Sequence, residues 1–467
     1  MTRIAIVGGG ISGLAAAFAL ERRRLTGSDL EYFLFESSSR LGGTLRTENV
    51  DGCVVEAGPD SFLTEKPWAA ELCRTLGIYD QLIGSNDAER KTYILTRGRL
   101  EAMPDGLMFM VPTKILPTAL SPLFSWTTKF RMAREWIHPP KPVDRDESVA
   151  AFVERHYGTE MVDRLADPLL SGVYGGEAAS LSVRAVLARF AEMERTHGSL
   201  GRAMLAARKK SRRASATAPP IFTSLKNGMQ QLVEAVIARL PPASLLVNTR
   251  VGSIRPEADG WKIDLHSEAG ARSESFDGVI LAVPAYTAGG LVKNFASELA
   301  TELVGIGYTS SIAIGLGYDG EVRRLLPPGF GFLVPRSEGR LLLAATFVHN
   351  KFSYRAPADR ALLRCFFAGA GAEKVWGRSD AEIVDLVRQE LSEILGLRAA
   401  PRFARVFKWK SAMPQYGVGH LERMERIERL LAFPKLALCG NGYRGIGIPD
   451  CVREGEEAAE RVRGLRL

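Results

Sequence analysis

An apolar run, Ile4-Ala5-Ile6-Val7, breaks into Gly8-Gly9-Gly10-Ile11-Ser12-Gly13 and resumes as Leu14-Ala15-Ala16-Ala17. This local pattern constrains the fold more than any other in the chain. A buried strand must turn tightly at Gly8, expose its backbone to a ligand's phosphates at Gly10, and receive a helix at close range at Gly13. The first turn of that helix offers free N–H groups to an anion. Residues 30–35 (Leu-Glu-Tyr-Phe-Leu-Phe) supply the next strand and end on Glu36. A carboxylate there accepts hydrogen bonds from a ribose diol and repels a 2′-phosphate, which favours FAD or NAD over NADP. Short apolar runs at 278–283 and 435–439, closed by Pro284 and Gly440, add further strands. The expected fold is therefore α/β, a doubly wound (Rossmann-like) parallel sheet.

A chain of 467 residues is too long for one core, so this sheet must share the molecule with other domains. Residues 103–140 are rich in Pro, Met, Phe and Trp, and 148–194 carry repeated helical signals. Residues 309–318 and 340–348 read as strands of an antiparallel sheet. The expected layout assembles the dinucleotide domain from 1–90, 215–290 and 406–467. Inserted into it are a helical domain at 91–214, facing substrate or membrane, and a mixed-sheet substrate domain at 291–405. The longest uncharged run, 4–20, is interrupted by the glycines and falls short of the roughly 20 apolar residues of a span. With no leader-like cleavage site, the expected location is the cytoplasm. The five cysteines lack a C-x-x-C pair, which suits a reducing compartment and predicts neither zinc nor a disulfide frame.

The net charge is +8, and one acid-free stretch holds eight cations: Arg195, Arg202, Arg208, Lys209, Lys210, Arg212, Arg213 and Lys226. Such a run attracts an anionic partner, either a carboxylated substrate or a phospholipid surface. No aromatic residue interleaves the cluster at 208–213, so nucleic acid is not expected. The six histidines show no ligand or catalytic spacing. No catalytic acid, base or metal ligand is assigned.

Three further strings narrow the reading: Ser39-Arg40-Leu41-Gly42-Gly43-Thr44-Leu45-Arg46-Thr47, Val55-Glu56-Ala57-Gly58-Pro59-Asp60, and Gly440-Asn441-Gly442-Tyr443-Arg444-Gly445-Ile446-Gly447-Ile448-Pro449-Asp450. Together with the first glycine motif they resemble the FAD-dependent amine-oxidase flavoproteins. The last string is most similar to that of protoporphyrinogen and coproporphyrinogen oxidases, as are Trp409-Lys410-Ser411-Ala412-Met413-Pro414-Gln415-Tyr416, Gly329-Phe330-Gly331-Phe332-Leu333-Val334-Pro335, Asp167-Pro168-Leu169-Leu170-Ser171-Gly172-Val173-Tyr174 and Asn248-Thr249-Arg250-Val251. The resemblance runs in order from Arg3 to Val462.

It implies non-covalent FAD. Gly8, Gly9, Gly10, Ile11, Ser12, Gly13 and Glu36 would hold the nucleotide, with Arg40 by the pyrophosphate and the Val251 backbone on the adenine. Gly43 and Thr44 would pass close to the cofactor, and Ala57, Gly58, Pro59 and Asp60 would run beside the flavin ring. Trp409, Gly440, Asn441, Ile446, Gly447 and Ile448 complete the implied cofactor set. The implied reaction is the six-electron aromatisation of a porphyrinogen in haem biosynthesis, with molecular oxygen as acceptor. Gly172 would touch the macrocycle. Where plant and animal members carry a propionate-binding arginine, this chain has Thr92, preceded by Arg90 and Lys91. That departure leaves the anchor open. Phe332, Phe367 and Met108-Phe109-Met110 are candidates for the apolar slot a tetrapyrrole needs. Residues 103–140, with Phe124, Trp126, Trp136, Lys114, Lys129, Arg131 and Arg134, fit either a peripheral seat on the inner face of a membrane or the roof of a substrate tunnel. Oligomeric state, homodimer included, is left open, as is proto- against coproporphyrinogen. The rival readings are a flavin oxidoreductase for amines or carotenoid-like polyenes, and a non-enzymatic binding protein of the same fold.

Overall fold

The computed structural model describes residues 1–211 and 219–464. Nine elements, in chain order, position the site: β1 (Thr2–Val7), α1 (Ile11–Leu25), β2 (Leu30–Phe35), β3 (Gly278–Leu281), β4 (Gly307–Asp319), β5 (Arg360–Ala368), β6 (Phe403–Gln415), β7 (Leu436–Leu438) and α2 (Ile448–Val462). Leu245–Leu246, β2, β1, β3 and β7 form a five-stranded, wholly parallel sheet in that order. Alternate residues of β1 enter different cores. Ile4 and Ile6 pack with α1 and α2 on one face, through Leu14, Leu20, Val452 and Val462. Ala5 and Val7 pack on the other with Trp261, Ile263 and Leu265 of an antiparallel three-stranded sheet and with the helix Ala285–Val292. A sheet covered on both faces needs the near-continuous apolar strands seen in the sequence.

The second sheet has seven strands, in the order β6, β4, β5, Ala344–Phe347, Gly331–Leu333, Thr92–Thr96 and Arg99–Ala102. All neighbours are antiparallel except Gly331–Leu333 with Thr92–Thr96. One face is covered by the helix Asp380–Leu395, through Ile383, Val387 and Leu391. The expected strand at 340–348 is shorter, Ala344–Phe347, and passes into a helical turn, Val348–Lys351. Two strands, Thr92–Thr96 and Arg99–Ala102, come from the stretch expected to be helical, and β6 begins in one expected segment and ends in the next. Sheet pairing thus crosses the sequence divisions, because edge strands are recruited by register rather than by neighbourhood in the chain.

Between residues 115 and 211 the regular elements are all helices, joined by loops such as 138–148 and 175–182. The core of this region holds Phe152, Tyr157, Met161, Leu165 and Leu170. The buried His156 bridges Glu135 (3.3 Å) and Glu194 (2.9 Å), joining three helices. No helix among the described residues is long and apolar enough to cross a membrane. Of the eight cations in the acid-free stretch, Arg195 pairs with Glu192 at 2.7 Å, Arg202 donates to the carbonyls of Trp136 and Ile137, and Lys226 lies 4.5 Å from the Tyr354 ring centroid. Arg212 and Arg213 lie outside the described residues, as do the side chains of Arg208, Lys209 and Lys210.

Candidate functional site

The first glycine turn leaves β1 with Gly8 at φ +109°, where a Cβ would stand 2.4 Å from the Ala282 carbonyl oxygen. At Gly13 a Cβ would stand 2.0 Å from the Gly8 carbonyl oxygen, so helix and turn are in direct backbone contact. Gly10 is the opposite case: a Cβ there would meet nothing within 4 Å. No side chain caps α1 and no acid lies in its first turn. That helix end is electropositive and open. Glu36 borders it, one oxygen accepting the Gly9 N–H (2.8 Å) and the other the Ser38 N–H (2.8 Å). The Thr249 N–H donates to the Glu36 carbonyl (2.8 Å) and Asn248 to that of Ser38 (2.9 Å), which brings the strand containing Val251 alongside.

The loop 40–47 is laid against this turn. Gly42 N–H donates to the Gly9 carbonyl at 2.7 Å, and a Cβ on Gly43 would lie 3.2 Å from the Gly10 Cα. Arg40 secures the loop by donating to the carbonyls of Leu41 and Leu45 (2.9 Å each) and to that of Gly43. Gly58 crosses Thr44 with no room for a side chain, a Cβ meeting the Thr44 carbonyl oxygen at 1.9 Å. Trp409 Nε1 donates to the Ala57 carbonyl at 2.7 Å and fixes the same loop from β6.

Under that loop lies a layer of buried charge that sequence reasoning missed. Arg355 pairs with Glu56 at 2.7 Å, side chains 1% and 4% exposed. Thr47 Oγ1 and the Met229 N–H also donate to Glu56 at 2.7 Å each. Burial still pushes the Glu56 carboxyl above its usual range. Asp60 faces Lys351 at 3.2 Å and Arg364 at 3.8 Å. Burial alone would raise the Asp60 carboxyl, but these two cations hold it well below the usual carboxylate range. Arg364 also donates to the Gly58 carbonyl. A signal existed: Arg364 interrupts the apolar run Ala361-Leu362-Leu363-Arg364-Cys365-Phe366-Phe367, and a charge inside a strand needs a buried partner.

The second glycine turn leaves β7 and opens α2. Gly440, at φ +139°, again has nothing within 4 Å of a Cβ position. Here side chains hold the shape. Tyr416 donates to the Asn441 carbonyl (2.7 Å) and accepts the Gly445 N–H (2.8 Å). His420 stacks on Tyr416 with centroids 4.0 Å apart, its Nε2 lying 2.8 Å from the Tyr443 carbonyl oxygen. Glu454 takes two N–H groups, from Gly440 (3.1 Å) and Arg444 (2.9 Å). Ile446 and Gly447 are half-buried, while the Ile448 side chain joins the core beneath β1. The two helices that open from the turns touch: a Cβ on Gly455 would lie 2.3 Å from the Ser12 carbonyl oxygen.

The substrate-side expectations fare differently. Phe332 and Phe367 are 1% and 0% exposed and pack with Ile383, Val387 and Leu391 under the covering helix. Strand alternation turns their neighbours, Leu333 and Phe366, to the other face. Leu333 packs toward the helical region, its Cδ2 lying 3.9 Å from a Cβ position on Gly172, which is exposed. Phe366 lies under the Arg364 guanidinium at 4.7 Å. Leu333 and Phe366, one position from the expected pair, thus face the opposite side of the sheet. Met110 is core and Phe109 packs on Phe190 at 5.6 Å, while the side chain of Met108 lies outside the described residues. Phe124 is buried and Trp136 is packed over Gly201. Trp126, 77% exposed, faces outward with Leu116, Leu120, Phe130 and Ile137. Arg90 and Lys91 are exposed, and no carboxylate pairs with either among the described residues; Thr92 is half-buried in register with Gly331.

The site is thus the open N-terminus of α1 at the carboxyl end of β1 and the glycine turn that leads from β7 into α2, bordered by Glu36 and by backbone free of side chains at Gly10 and Gly440. Those features fit a dinucleotide, whose phosphates need N–H groups and close backbone approach. Residues 11–463 match the model of the flavin-containing amine oxidoreductases. Coproporphyrinogen III oxidase of Bacillus subtilis (strain 168) is 32% identical over 97% of this chain and 96% of its own. The chloroplastic protoporphyrinogen oxidase 1 of Arabidopsis thaliana is 28% identical over 99% and 88%. A crystal structure described as a protoporphyrinogen oxidase from Exiguobacterium sp. 255-15 superposes with a TM-score of 0.86 at 29% identity, covering 98% of each chain.

Proposed function

The chain belongs to the family of flavin-containing amine oxidoreductases, and from that premise we propose that it is an FAD-dependent porphyrinogen oxidase whose better substrate is coproporphyrinogen. The observation that carries the reading is that the likeness to porphyrinogen oxidases covers nearly the whole chain, in sequence and in fold, and not the nucleotide motif alone. When bound, FAD supplies the two-electron acceptor that each step of the six-electron aromatisation requires. The protein's part is to hold and orient. The first turns of α1 and α2 take the phosphates and polar edges, Glu36 a ribose, and the loop 57–60, braced by its buried ion pairs, backs the ring. The apolar side chain of Leu333 beside bare Gly172 suits the flat face of a macrocycle.

We also propose molecular oxygen as the terminal acceptor, and Arg90 with Lys91 as the cations that draw propionates. Coproporphyrinogen carries four of these against two, so the cations favour it, and the preference should shrink as salt rises. The outward Trp126, Phe130, Leu116, Leu120 and Ile137, rimmed by Lys114, Arg131 and Arg134, support a peripheral seat on an anionic bilayer. The decisive experiment is incubation of the yellow holoenzyme with each porphyrinogen, reading porphyrin fluorescence and peroxide. Both should be turned over, coproporphyrinogen with the higher kcat/KM. Replacing Arg90 and Lys91 by alanine should raise KM for coproporphyrinogen more than for protoporphyrinogen and leave kcat nearly unchanged. Turnover of neither substrate with flavin in place would defeat the reading.

A further inference from the structure

Two buried acids lie one helical turn apart on α2, and they are held differently. Asp450 has a cation, Lys66 Nζ donating to its two oxygens at 2.8 and 2.7 Å. Glu454, 5% exposed, has none. Its Oε2 accepts the Gly440 N–H and its Oε1 the Arg444 N–H, at 3.1 and 2.9 Å. One carboxylate therefore ties the two ends of the glycine turn together. The nearest cations are engaged elsewhere: Arg444 with Glu428 at 3.4 Å, and Arg453 with Glu457 at 3.6 Å and over the Trp68 ring at 4.7 Å. The other titratable groups facing it are the thiols of Cys439 and Cys451 and the phenols of Tyr416 and Tyr443. Burial pushes all four upward, so they are neutral near pH 7 and offer no countercharge.

We propose that Glu454 is a positioning residue of the cofactor site, holding the Gly440–Arg444 turn in the shape that receives FAD, so that its charge state sets how tightly the cofactor is held. This rests on the reading that FAD lies against that turn. Ionised, the carboxylate presents an acceptor to each N–H. Protonated, one oxygen becomes a donor facing a donor, and one end of the turn is released. Burial raises the Glu454 carboxyl to about 7, against the pull of the two N–H groups and of Arg453 and Arg444, so the exchange falls in the neutral range. Fold stability runs the other way. An acid whose pKa is raised on folding favours the folded state in acid, and that contribution is lost as pH rises through about 7.

The opposite signs make the test. Holoenzyme is diluted into buffers between about pH 6 and pH 8, and flavin release is read from its recovered fluorescence. The apparent Kd for FAD should rise about tenfold from the alkaline to the acid end, as expected for losing a hydrogen bond to a charged acceptor. Glu454→Gln should hold FAD about tenfold more weakly at the alkaline end and show little further change with pH. The melting temperature of its cofactor-free form there should equal or exceed that of the wild type, since a buried charge has been removed. A wild-type FAD affinity that is flat with pH would overturn the proposal without any variant. A Glu454→Gln protein that loses FAD affinity and cofactor-free stability together would overturn it as well, showing a merely structural role. Wild-type protein that retains no FAD at any pH would instead defeat the cofactor reading itself, and the proposal with it.

Discussion

The two glycine turns leave neighbouring regions of one sheet and open two touching helices, yet they are stabilised by different means. The turn after β1 is held mainly by backbone against backbone, Gly8 against Ala282, Gly13 against Gly8 and Gly42 against Gly9, with the Glu36 carboxylate on the Gly9 N–H adding a side-chain hydrogen bond. The turn after β7 is held by side chains reaching in from outside, Tyr416 from just beyond β6 and Glu454 from α2. Backbone contacts cannot be tuned by substitution without steric failure, whereas a ring of hydroxyl and carboxylate can be weakened in steps. The first turn is thus a fixed mould and the second an adjustable one. Both share a single feature on the cofactor side, an empty Cβ position at Gly10 and at Gly440.

The sharpest way to break this contrast is Gly13→Val. A side chain at 2.0 Å from the Gly8 carbonyl must displace helix from strand. Unfolding free energy should fall by more than about 3 kcal/mol, the upper range of overpacking costs, as read by urea denaturation. Equal stability to wild type would mean the mould is not rigid. Gly10→Val, three residues away, should do the reverse. Its backbone, at φ −71°, accepts any residue and its Cβ meets nothing, so cofactor-free stability should change by only about 1 kcal/mol, the cost of a poorer helix cap. FAD binding should nevertheless weaken at least about a hundredfold by calorimetric titration, because the new side chain fills the phosphate path. Glu36→Ala should have an intermediate effect. Losing a charged acceptor costs about 1.5–3 kcal/mol of FAD affinity, and the Gly9 and Ser38 N–H groups lose their partner. Unchanged affinity would remove Glu36 from the ribose. The smallest change tests the adjustable turn. Tyr416→Phe removes one accepted and one donated hydrogen bond and should lower FAD affinity by about 1 kcal/mol, with the cofactor-free melting temperature moving little.

The same contrast explains what the sequence could tell. A turn held by backbone must use glycine at fixed spacing, so Gly8, Gly10 and Gly13 are legible as a string, and the strands beside them are legible because both sheet faces are buried. A turn held by side chains draws on Tyr416, His420 and Glu454, which lie far apart in kind and spacing and spell no local pattern. Glu454 in Val452-Arg453-Glu454-Gly455-Glu456-Glu457 looks like any exposed helical acid. Only the packing of α2 under β7 shows that it points inward. The orientation of the strand aromatics was hidden for a narrower reason. Aromatic residues drew attention at Phe332 and Phe367, but period-two alternation gave them to the helix-covered face and left Leu333 and Phe366 for the other. Which face of a strand is covered depends on a helix some dozen residues or more away, and no residue of the strand itself records it. The membership of the Thr92–Thr96 strand in the large sheet was similarly hidden, since beyond its local hairpin with Arg99–Ala102 its link to that sheet is the distant Gly331–Leu333.

The order of strands in the parallel sheet carries a consequence for how the protein is made. β1 and β2 leave the ribosome well before β7 and α2, and the crossing of Gly455 on Ser12 joins segments far apart in sequence. Until residues 436–462 have emerged, β3 lacks its outer neighbour and the apolar underside of α1 lacks α2. A nascent chain therefore carries a complete phosphate-binding mould with no second wall, and must wait with that surface bare. Flavin capture must therefore wait for α2, and cells short of flavin should accumulate a protein whose weakest seam to proteolysis is the one between α1 and α2.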